Sequence, residues 1–263
     1  MDEQSVAGSE AERLGRLGVL RLRAPNPGPL TLSGTNSWLV GRDPTWVIDP
    51  GPDLGEHIEL LLGEIASRGG LGGIAITHEH ADHVGALGAL LERFAAPLAA
   101  TRRGADVPLS EGVRFGPLQA LYTPGHSRDH YAFLAEGICF TGDAVLGEGS
   151  VFIAPDPGAL AGYLSALERL SEHEFEVLCP GHGPAIWDPR ERIAHYVEHR
   201  MERERRLLAA LREGRRSTPE LLDAAWSEVP EQLRSAAAIT LQAHLDKLSE
   251  EGRLPGDFER EDG

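Results

Sequence analysis

The chain has 263 residues, of which 41% are hydrophobic and 25% charged, and these proportions are ordinary for a folded globular protein. Its formal net charge of −16 disfavours strong binding to duplex nucleic acid, and no apolar run reaches the roughly 20 residues that cross a membrane. The acidic, polar start does not resemble a secretory signal, and the two cysteines, Cys139 and Cys179, fit a reducing compartment, so we expect a cytoplasmic protein without a membrane partner.

The first part of the chain is predicted to be rich in short strands. Residues 1–15 are expected to form a disordered, frayed tail. Turn signals such as NPGP and RDP then separate three segments rich in β-branched and aromatic residues, LGVLRLRAP, TNSWLVG and TWVIDPG. The segment EHIELLLGEIASRGG has apolar residues at helical spacing and ends in Gly-Gly, and GGIAIT is typical of a brief buried strand.

Strands and helices alternate over the next hundred residues. Helical periodicity is present in HVGALGALLERF and in ALAGYLSALERLSEH. Between and after these helices, strands are predicted at PLAAT, LQALYTP, HYAFLAEGICFTGD and EVLCPG. The alternation indicates an α/β domain over residues 16–188, with helices packed outside the sheets.

A separate helical module is predicted for residues 189–263. A long charged helix over residues 190–214 is followed by STPELLDAAW and by PEQLRSAAAITLQAHLDKLSEEGRL, each with helical character. The sequence Ser217-Thr218-Pro219-Glu220 is a strong helix start, because it combines a capping serine, an early proline and a glutamate three residues later. The pattern favours a compact three-helix unit.

The segment THEHADH, at the end of the predicted strand GGIAIT, contains candidate metal ligands. His78 and His80 are two residues apart, so an extended backbone points both rings in the same direction. Asp82 and His83 follow where the chain turns into a helix, which displaces them towards a second position. Imidazole and carboxylate are ligands of zinc and related divalent ions, so the geometry favours two metals over one.

Three further segments repeat the pattern of a ligand at the end of an apolar strand. They are TPGH at His126, FTGD at Asp143 and PGHG at His182. Each motif is weak alone, but their order and spacing together are specific.

With these motifs, residues 17–188 resemble the metallo-β-lactamase superfamily. The resemblance implies a four-layer αβ/βα sandwich with a dinuclear metal site in the cleft between two sheets. It also implies that His78, His80 and His126 hold one ion, that Asp82, His83 and His182 hold the other, and that Asp143 bridges the two.

A narrower likeness covers nearly the whole chain. The segments NPGPLTLSGTNSWLVG, TPGHSRDH, FTGDAVLGEGS and HLDKLSEEGRL are similar to the β-lactamase-like protein 2 group. Members of this group append a small C-terminal winged-helix domain, which would have its core at residues 219–254. The group includes a metal-dependent endoribonuclease that acts on single-stranded RNA.

The resemblance implies hydrolysis by a hydroxide that bridges two divalent ions, with zinc expected and iron or manganese as alternatives. Asp82, a ligand beside that hydroxide, is the candidate catalytic residue that orients it and carries its proton. His130 and Asn36 are candidates for contacting the substrate, although a structural hydrogen bond for His130 and a turn-fixing role for Asn36 are alternatives.

Four functions compete at this point. The first is a phosphodiesterase or endoribonuclease, and the second is a hydroxyacylglutathione-type thioesterase, which shares the T-H-x-H-x-D-H motif. Two others are a β-lactamase and a DNA-binding regulator whose metal site is structural. The carboxylate ligands disfavour the regulator, because structural zinc sites are usually filled by cysteine and histidine.

The expected partners are a small-molecule substrate or single-stranded RNA, with no strong binding to duplex DNA. Residues 200–216 contain seven arginines and three glutamates, an excess of four positive charges that could guide a phosphate backbone. The alternative is a solvated helix face with Glu–Arg pairs. The C-terminal module is expected to restrict substrates by shape and is a candidate for homodimer formation.

Overall fold

The structure is a computed structural model, and it describes residues 3–153, 156–256 and 258. The chain separates into two compact units. The first comprises Met1–Tyr122, Asp129–Gly149 and Glu174–Pro189, and the second comprises Thr123–Arg128, Ser150–His173 and Arg190–Gly263. The second unit therefore includes two segments from within residues 16–188, and the domain boundary after residue 188 stays a prediction.

The first unit is built around two β-sheets, one of six strands in the order β1-β2-β3-β4-β5-β6 and one of five in the order β11-β10-β9-β8-β7. The strands are β1 (Val19–Arg23), β2 (Asn36–Val40), β3 (Thr45–Ile48), β4 (Leu71–Ala75), β5 (Leu98–Ala100), β6 (Val107–Pro108), β7 (Arg114–Phe115), β8 (Leu118–Tyr122), β9 (Tyr131–Ala135), β10 (Ile138–Gly142) and β11 (Val177–Pro180). Pairing is parallel from β3 to β6 and between β10 and β11, and antiparallel elsewhere.

Two hydrophobic clusters hold these layers together. One joins the two sheets through residues such as Trp38 of β2, Phe133 of β9 and Phe140 of β10, all of which are buried. The other packs the opposite face of the six-stranded sheet against helices, with Leu61 and Ile65 contributed by α2 (Gly55–Ser67). The remaining helices of this unit are α1 (Glu3–Arg16), α3 (Ala81–Val84) and α4 (Leu87–Arg93).

The second unit is helical in the described part of the chain. Its helices are α5 (Ala159–Ser171), α6 (Pro189–Arg212), α7 (Thr218–Ala225) and α8 (Arg234–Glu250), with a short 3-10 helix at Glu231–Leu233. Helices α6, α7 and α8 share a core that includes Leu211, Leu222 and Leu241. The capping box predicted at Ser217 is present, with Glu220 as its partner. Across the residues described, no helix is both long and apolar enough to span a membrane.

The structure differs from the sequence-based expectation in two places. Helix α1 occupies most of the predicted disordered tail, and its C-terminal half is anchored because Leu14 is buried and Glu10 forms an ion pair of 2.7 Å with Arg21. Residues 1 and 2 lie outside the described residues. The segment HYAFLAEGICFTGD, predicted as one strand, is an antiparallel hairpin of β9 and β10, because the chain reverses at Glu136-Gly137.

Candidate metal centre

The THEHADH segment follows β4 and then turns into helix α3. His80 caps the helix with φ −68° and ψ 143°, and the His83 amide donates to the His80 carbonyl oxygen at 2.9 Å. His80 is thus on extended backbone, as the spacing predicts. His78 Nε2 and His80 Nδ1 lie 2.9 Å apart, which is the distance of a hydrogen bond between the two rings, so their sharing of one cation stays a prediction.

A second group forms around Asp82, His83, Asp143 and His182. Asp82 Oδ2 lies 3.4 Å from His83 Nε2 and 3.3 Å from His182 Nε2. Asp143 Oδ1 lies 3.6 Å from His83 Nε2, and its Oδ2 lies 3.4 Å from His182 Nε2. The sequence-predicted ligands of the second ion are therefore brought together with the predicted bridging residue.

These distances fit a divalent cation. In a tetrahedral zinc site with bonds of roughly 2.0–2.1 Å, neighbouring ligand atoms lie about 3.3–3.4 Å apart. The same spacing is long for a hydrogen bond, which is usually close to about 2.9 Å. His83 Nε2 is buried and makes no hydrogen bond to the described residues, although it faces two carboxylates. A cation held between these nitrogen and oxygen atoms would satisfy it.

Three of the predicted histidine ligands have their other ring nitrogen, Nδ1, beside an oxygen atom. His83 Nδ1 lies 2.8 Å from Asp49 Oδ2, and His182 Nδ1 lies 3.3 Å from the Gly34 carbonyl oxygen. His78 Nδ1 lies 3.0 Å from Thr77 Oγ1, and the Thr77 hydroxyl donates to Asp49 Oδ2. Because carboxylate and carbonyl oxygens only accept, and the Thr77 proton is used, Nδ1 donates and Nε2 keeps its lone pair for a cation.

The charges of the second group favour a positive ion. Burial opposes ionisation of Asp82, but His182 and His83 outweigh it and lower the pKa of this carboxyl to about 2. Burial also opposes protonation of His182, but Asp143 and Asp82 outweigh it and raise the pKa of this imidazole to about 10. The raised pKa of His182 shows that the two carboxylates create a negative potential at its ring, which would equally attract a metal ion.

His130 and Asn36 are fully buried and contact the framework of the site. The backbone amide of Asp143 donates to His130 Nε2 at 3.0 Å, so His130 fixes the start of the segment that carries Asp143. Asn36 Nδ2 donates to the carbonyl oxygens of Pro180 and Gly183, on either side of His182. Their predicted substrate contacts stay predictions.

His126 belongs to the second unit. It lies on the loop before β9, where its Nδ1 donates to the Phe152 carbonyl oxygen at 2.9 Å. The sharing of one cation by His126, His78 and His80 stays a prediction.

Asp49 is a site residue that the sequence analysis missed. It is buried at the end of β3, and its carboxylate accepts hydrogen bonds from the Thr77 amide, the Thr77 hydroxyl and His83 Nδ1. The sequence pattern that identified Asp143 could also have identified Asp49, because TWVIDPG has an acidic residue at the end of an apolar strand, as FTGD does.

Two family profiles match the chain. The profile of the metallo-beta-lactamase superfamily matches residues 30–111 and 106–182, and that of the beta-lactamase associated winged helix domain matches residues 217–254. A beta-lactamase-like protein 2 homolog of Caenorhabditis elegans is 32% identical over 89% of this chain and 85% of its own length. An atrochrysone carboxyl ACP thioesterase of Aspergillus chevalieri is 32% identical over 88% of this chain and 80% of its own length.

A solved structure has a similar fold over most of the chain. The crystal structure of a metallo-beta-lactamase family protein from Thermus thermophilus superposes with a TM-score of 0.74 and 26% sequence identity. The match covers 89% of this chain and 94% of the other.

Proposed function

This chain belongs to the metallo-β-lactamase superfamily of hydrolases, and we propose that it is a dinuclear metal-dependent phosphodiesterase that cleaves single-stranded RNA. Its fold class is the expected one, an α/β metallo-β-lactamase fold with a C-terminal winged-helix domain. The observation that carries the proposal of a metal-dependent reaction is the spacing of Asp82, His83, Asp143 and His182, which matches the edges of a metal coordination shell.

Two bound divalent ions would supply an activated water molecule at neutral pH and polarise the bond under attack. The residues of the chain perform the remaining tasks. His83 and His182 hold their nitrogens rigidly, because each ring is buried and fixed through Nδ1. Asp82 is the most solvent-accessible of this group, with 28% of its side chain exposed against 10% for Asp143. Asp82 is therefore the ligand best placed to accept a proton from an attacking water molecule.

The choice of RNA rests on the likeness to the β-lactamase-like protein 2 group, which extends over both profiles and most of the chain. The arginine-rich helix α6 adds little to it. Arg200 and Arg203 are buried against Val151 and Ala225, and both Arg205 and Arg206 form ion pairs with Glu202. The alternative of a helix face laced with Glu–Arg pairs describes this region better than a free basic track.

A thioesterase is the second candidate, and a specific observation favours it. The Aspergillus chevalieri relative, named as an acyl-carrier-protein thioesterase, covers 88% of this chain. The same pair of metal positions could polarise a thioester carbonyl as well as a phosphodiester, so the metal centre itself does not separate the two substrates.

The experiment is to count the metal ions in the purified protein and to measure turnover of four substrates in one buffer. The substrates are single-stranded RNA, bis-p-nitrophenyl phosphate, lactoylglutathione and a chromogenic cephalosporin. We expect RNA cleavage that is lost on chelation, restored by added zinc and abolished by Asp82→Ala. The exposed Asp43 provides the control, because Asp43→Asn removes a carboxylate charge outside the site and asparagine tolerates the left-handed φ of 53° at this position. Thioester cleavage without RNA cleavage would replace the first proposal by the second.

A further inference from the structure

A buried hydroxyl group contacts Asp82 from the loop that precedes β2. Thr35 is fully buried, and its Oγ1 lies 3.0 Å from Asp82 Oδ2. A carboxylate at neutral pH only accepts hydrogen bonds, so the Thr35 hydroxyl is the donor. The oxygen that it contacts is the same one that lies 3.4 Å from His83 Nε2 and 3.3 Å from His182 Nε2.

Asn26 determines where the proton of this hydroxyl points. Its Oδ1 accepts from the Thr35 backbone amide at 2.9 Å, which fixes the orientation of the side-chain amide. Its Nδ2 is then directed to Thr35 Oγ1, also at 2.9 Å. Because an amide nitrogen only donates, the hydroxyl must accept from Asn26, and its single proton is left for Asp82.

The same loop is itself held in place and anchors a second ligand. The Thr31 hydroxyl donates to the Asn26 carbonyl oxygen at 2.6 Å, and Gly28 pairs with Leu32 across the loop. Gly34, next to Thr35, supplies the carbonyl oxygen that faces His182 Nδ1. Two ligands of the second ion, Asp82 and His182, are thus oriented by neighbouring residues of one loop.

We propose that Thr35 is a positioning residue for Asp82 and that Asn26 acts through Thr35 by setting the direction of its hydroxyl proton. The inference rests on the proposed function, since it takes Asp82 to be a metal ligand. The Thr35 hydrogen bond holds the Asp82 carboxylate in the orientation in which Oδ2 faces His83 and His182. It therefore acts on the second cation position and leaves the position of His78 and His80 unaffected.

The test compares Thr35→Val, Thr35→Ser and Asn26→Asp with the unchanged protein. Valine keeps the shape of threonine and removes the hydroxyl, whereas serine keeps the hydroxyl. Aspartate at position 26 cannot donate, so it would draw the Thr35 proton to itself. The matched control is Thr45→Val, which removes another fully buried threonine hydroxyl, one that donates to the Val40 carbonyl oxygen outside the site.

The readouts are the number of bound zinc ions after dialysis, their affinities by competition with a chelator, and the melting temperature of the metal-free protein. We expect Thr35→Val to weaken one zinc ion about 10- to 100-fold and to leave the other unchanged. Asn26→Asp should have a similar effect, and the double variant should be no weaker than the single ones, because both act on one hydrogen bond. Thr35→Ser should retain near-normal affinity.

The inference is wrong if the unchanged protein binds two ions and Thr35→Val binds both equally well. It is also wrong if Thr45→Val weakens the same ion, or if Thr35→Ser fails as Thr35→Val does, since packing would then explain the loss. A protein that takes up no second zinc ion would contradict the proposed dinuclear function together with this inference.

Discussion

Asp49 connects the predicted metal ligands His78 and His83 to the framework of the site. Its carboxylate accepts three hydrogen bonds of 2.7–2.8 Å, two from Thr77 and one from His83 Nδ1. Through the Thr77 hydroxyl it also orients His78. One buried carboxylate therefore fixes a histidine from each of the two predicted ion positions.

We expect Asp49→Asn to lower metal affinity and activity by about 10- to 100-fold. The asparagine NH2 must face either the Thr77 amide or the pair formed by the Thr77 hydroxyl and His83 Nδ1. The first choice sets the NH2 against one donor and the second sets it against two, and relief of the clash with His83 would move the His83 proton to Nε2, where a cation should bind. Asparagine tolerates the left-handed φ of 51° as aspartate does, so the backbone should be retained. Metal content and kcat/KM measure the effect.

The control for this substitution is Asp43→Asn. Asp43 has a similar φ of 53° but is exposed and outside the site, so both metal affinity and activity should be unchanged. Normal metal binding by Asp49→Asn would show that the His83 hydrogen bond is dispensable.

Residues that carry conspicuous chemistry could be predicted from the sequence, and residues that act through another side chain could not. His78, His80, Asp82 and His83 stand together in one short motif, whose spacing already indicates two positions. Thr35 and Asn26 are far from that motif in sequence and of types that are common in turns. Their contribution depends on the direction of single hydrogen bonds, which only the folded loop defines.

At the scale of elements, the site depends on two parallel strands that end side by side. β10 and β11 finish at Gly142 and Pro180, and the Gly181 amide donates to the Gly142 carbonyl oxygen at 2.8 Å. This pairing brings Asp143 and His182, the residues that follow, to the same edge. A Cβ at Gly181 would lie 2.4 Å from Asp143 Oδ1 and 2.7 Å from His83 Cε1, so the approach requires a residue without a side chain.

Gly181→Ala should therefore displace Asp143 and His83 and reduce kcat/KM about 100-fold, since shifts of about 1 Å in a catalytic geometry have effects of that size. Kinetics and zinc stoichiometry measured on the same preparations would check this. Gly63→Ala is the matched control, because Gly63 lies in α2 with open space around its Cβ position. It should instead raise the free energy of unfolding by about 0.5–1 kcal/mol. Full activity of Gly181→Ala would mean that the strand ends adapt without cost.

The spacing of apolar residues in the sequence predicts some of these helices and strands but not others. Helices α2 and α5 and the start of α7 follow directly from apolar spacing and capping residues. The β9–β10 hairpin was not predicted, because the residues on both sides of its turn at Glu136-Gly137 are apolar and together indicate one continuous strand. Helix α1 was not predicted, because it has few apolar residues at helical spacing. It is stabilised by tertiary contacts, such as that of the Arg13 guanidinium group, which lies 3.5 Å from the centroid of the Trp187 ring.

At the scale of the whole molecule, charge distribution separates the candidate substrates. The chain carries a formal charge of −16, and the excess of arginine in residues 200–216 gives the one segment that the sequence analysis considered for guiding RNA. In the folded protein Arg200 and Arg203 are buried, and Arg215 forms an ion pair with Glu213. Burial and pairing leave little of this charge for phosphate groups, a result that local sequence composition could not predict.

If RNA is the substrate, its binding should therefore depend little on salt. A protein that neutralises 6–10 phosphates loses about 1,000-fold or more in affinity between roughly 50 and 200 mM salt, because bound counterions are released. Here few arginines are available, and added salt also screens the repulsion between an acidic protein and RNA. We expect kcat/KM for single-stranded RNA to stay constant or to rise over this range. A neutral thioester measured in parallel controls for effects of salt on catalysis itself. A steep fall of kcat/KM with salt for RNA alone would show that a basic surface binds the RNA in solution, and Arg205→Ala should then make the dependence on salt weaker. A kcat/KM that does not change with salt would mean that the metal centre supplies most of the recognition of the phosphate.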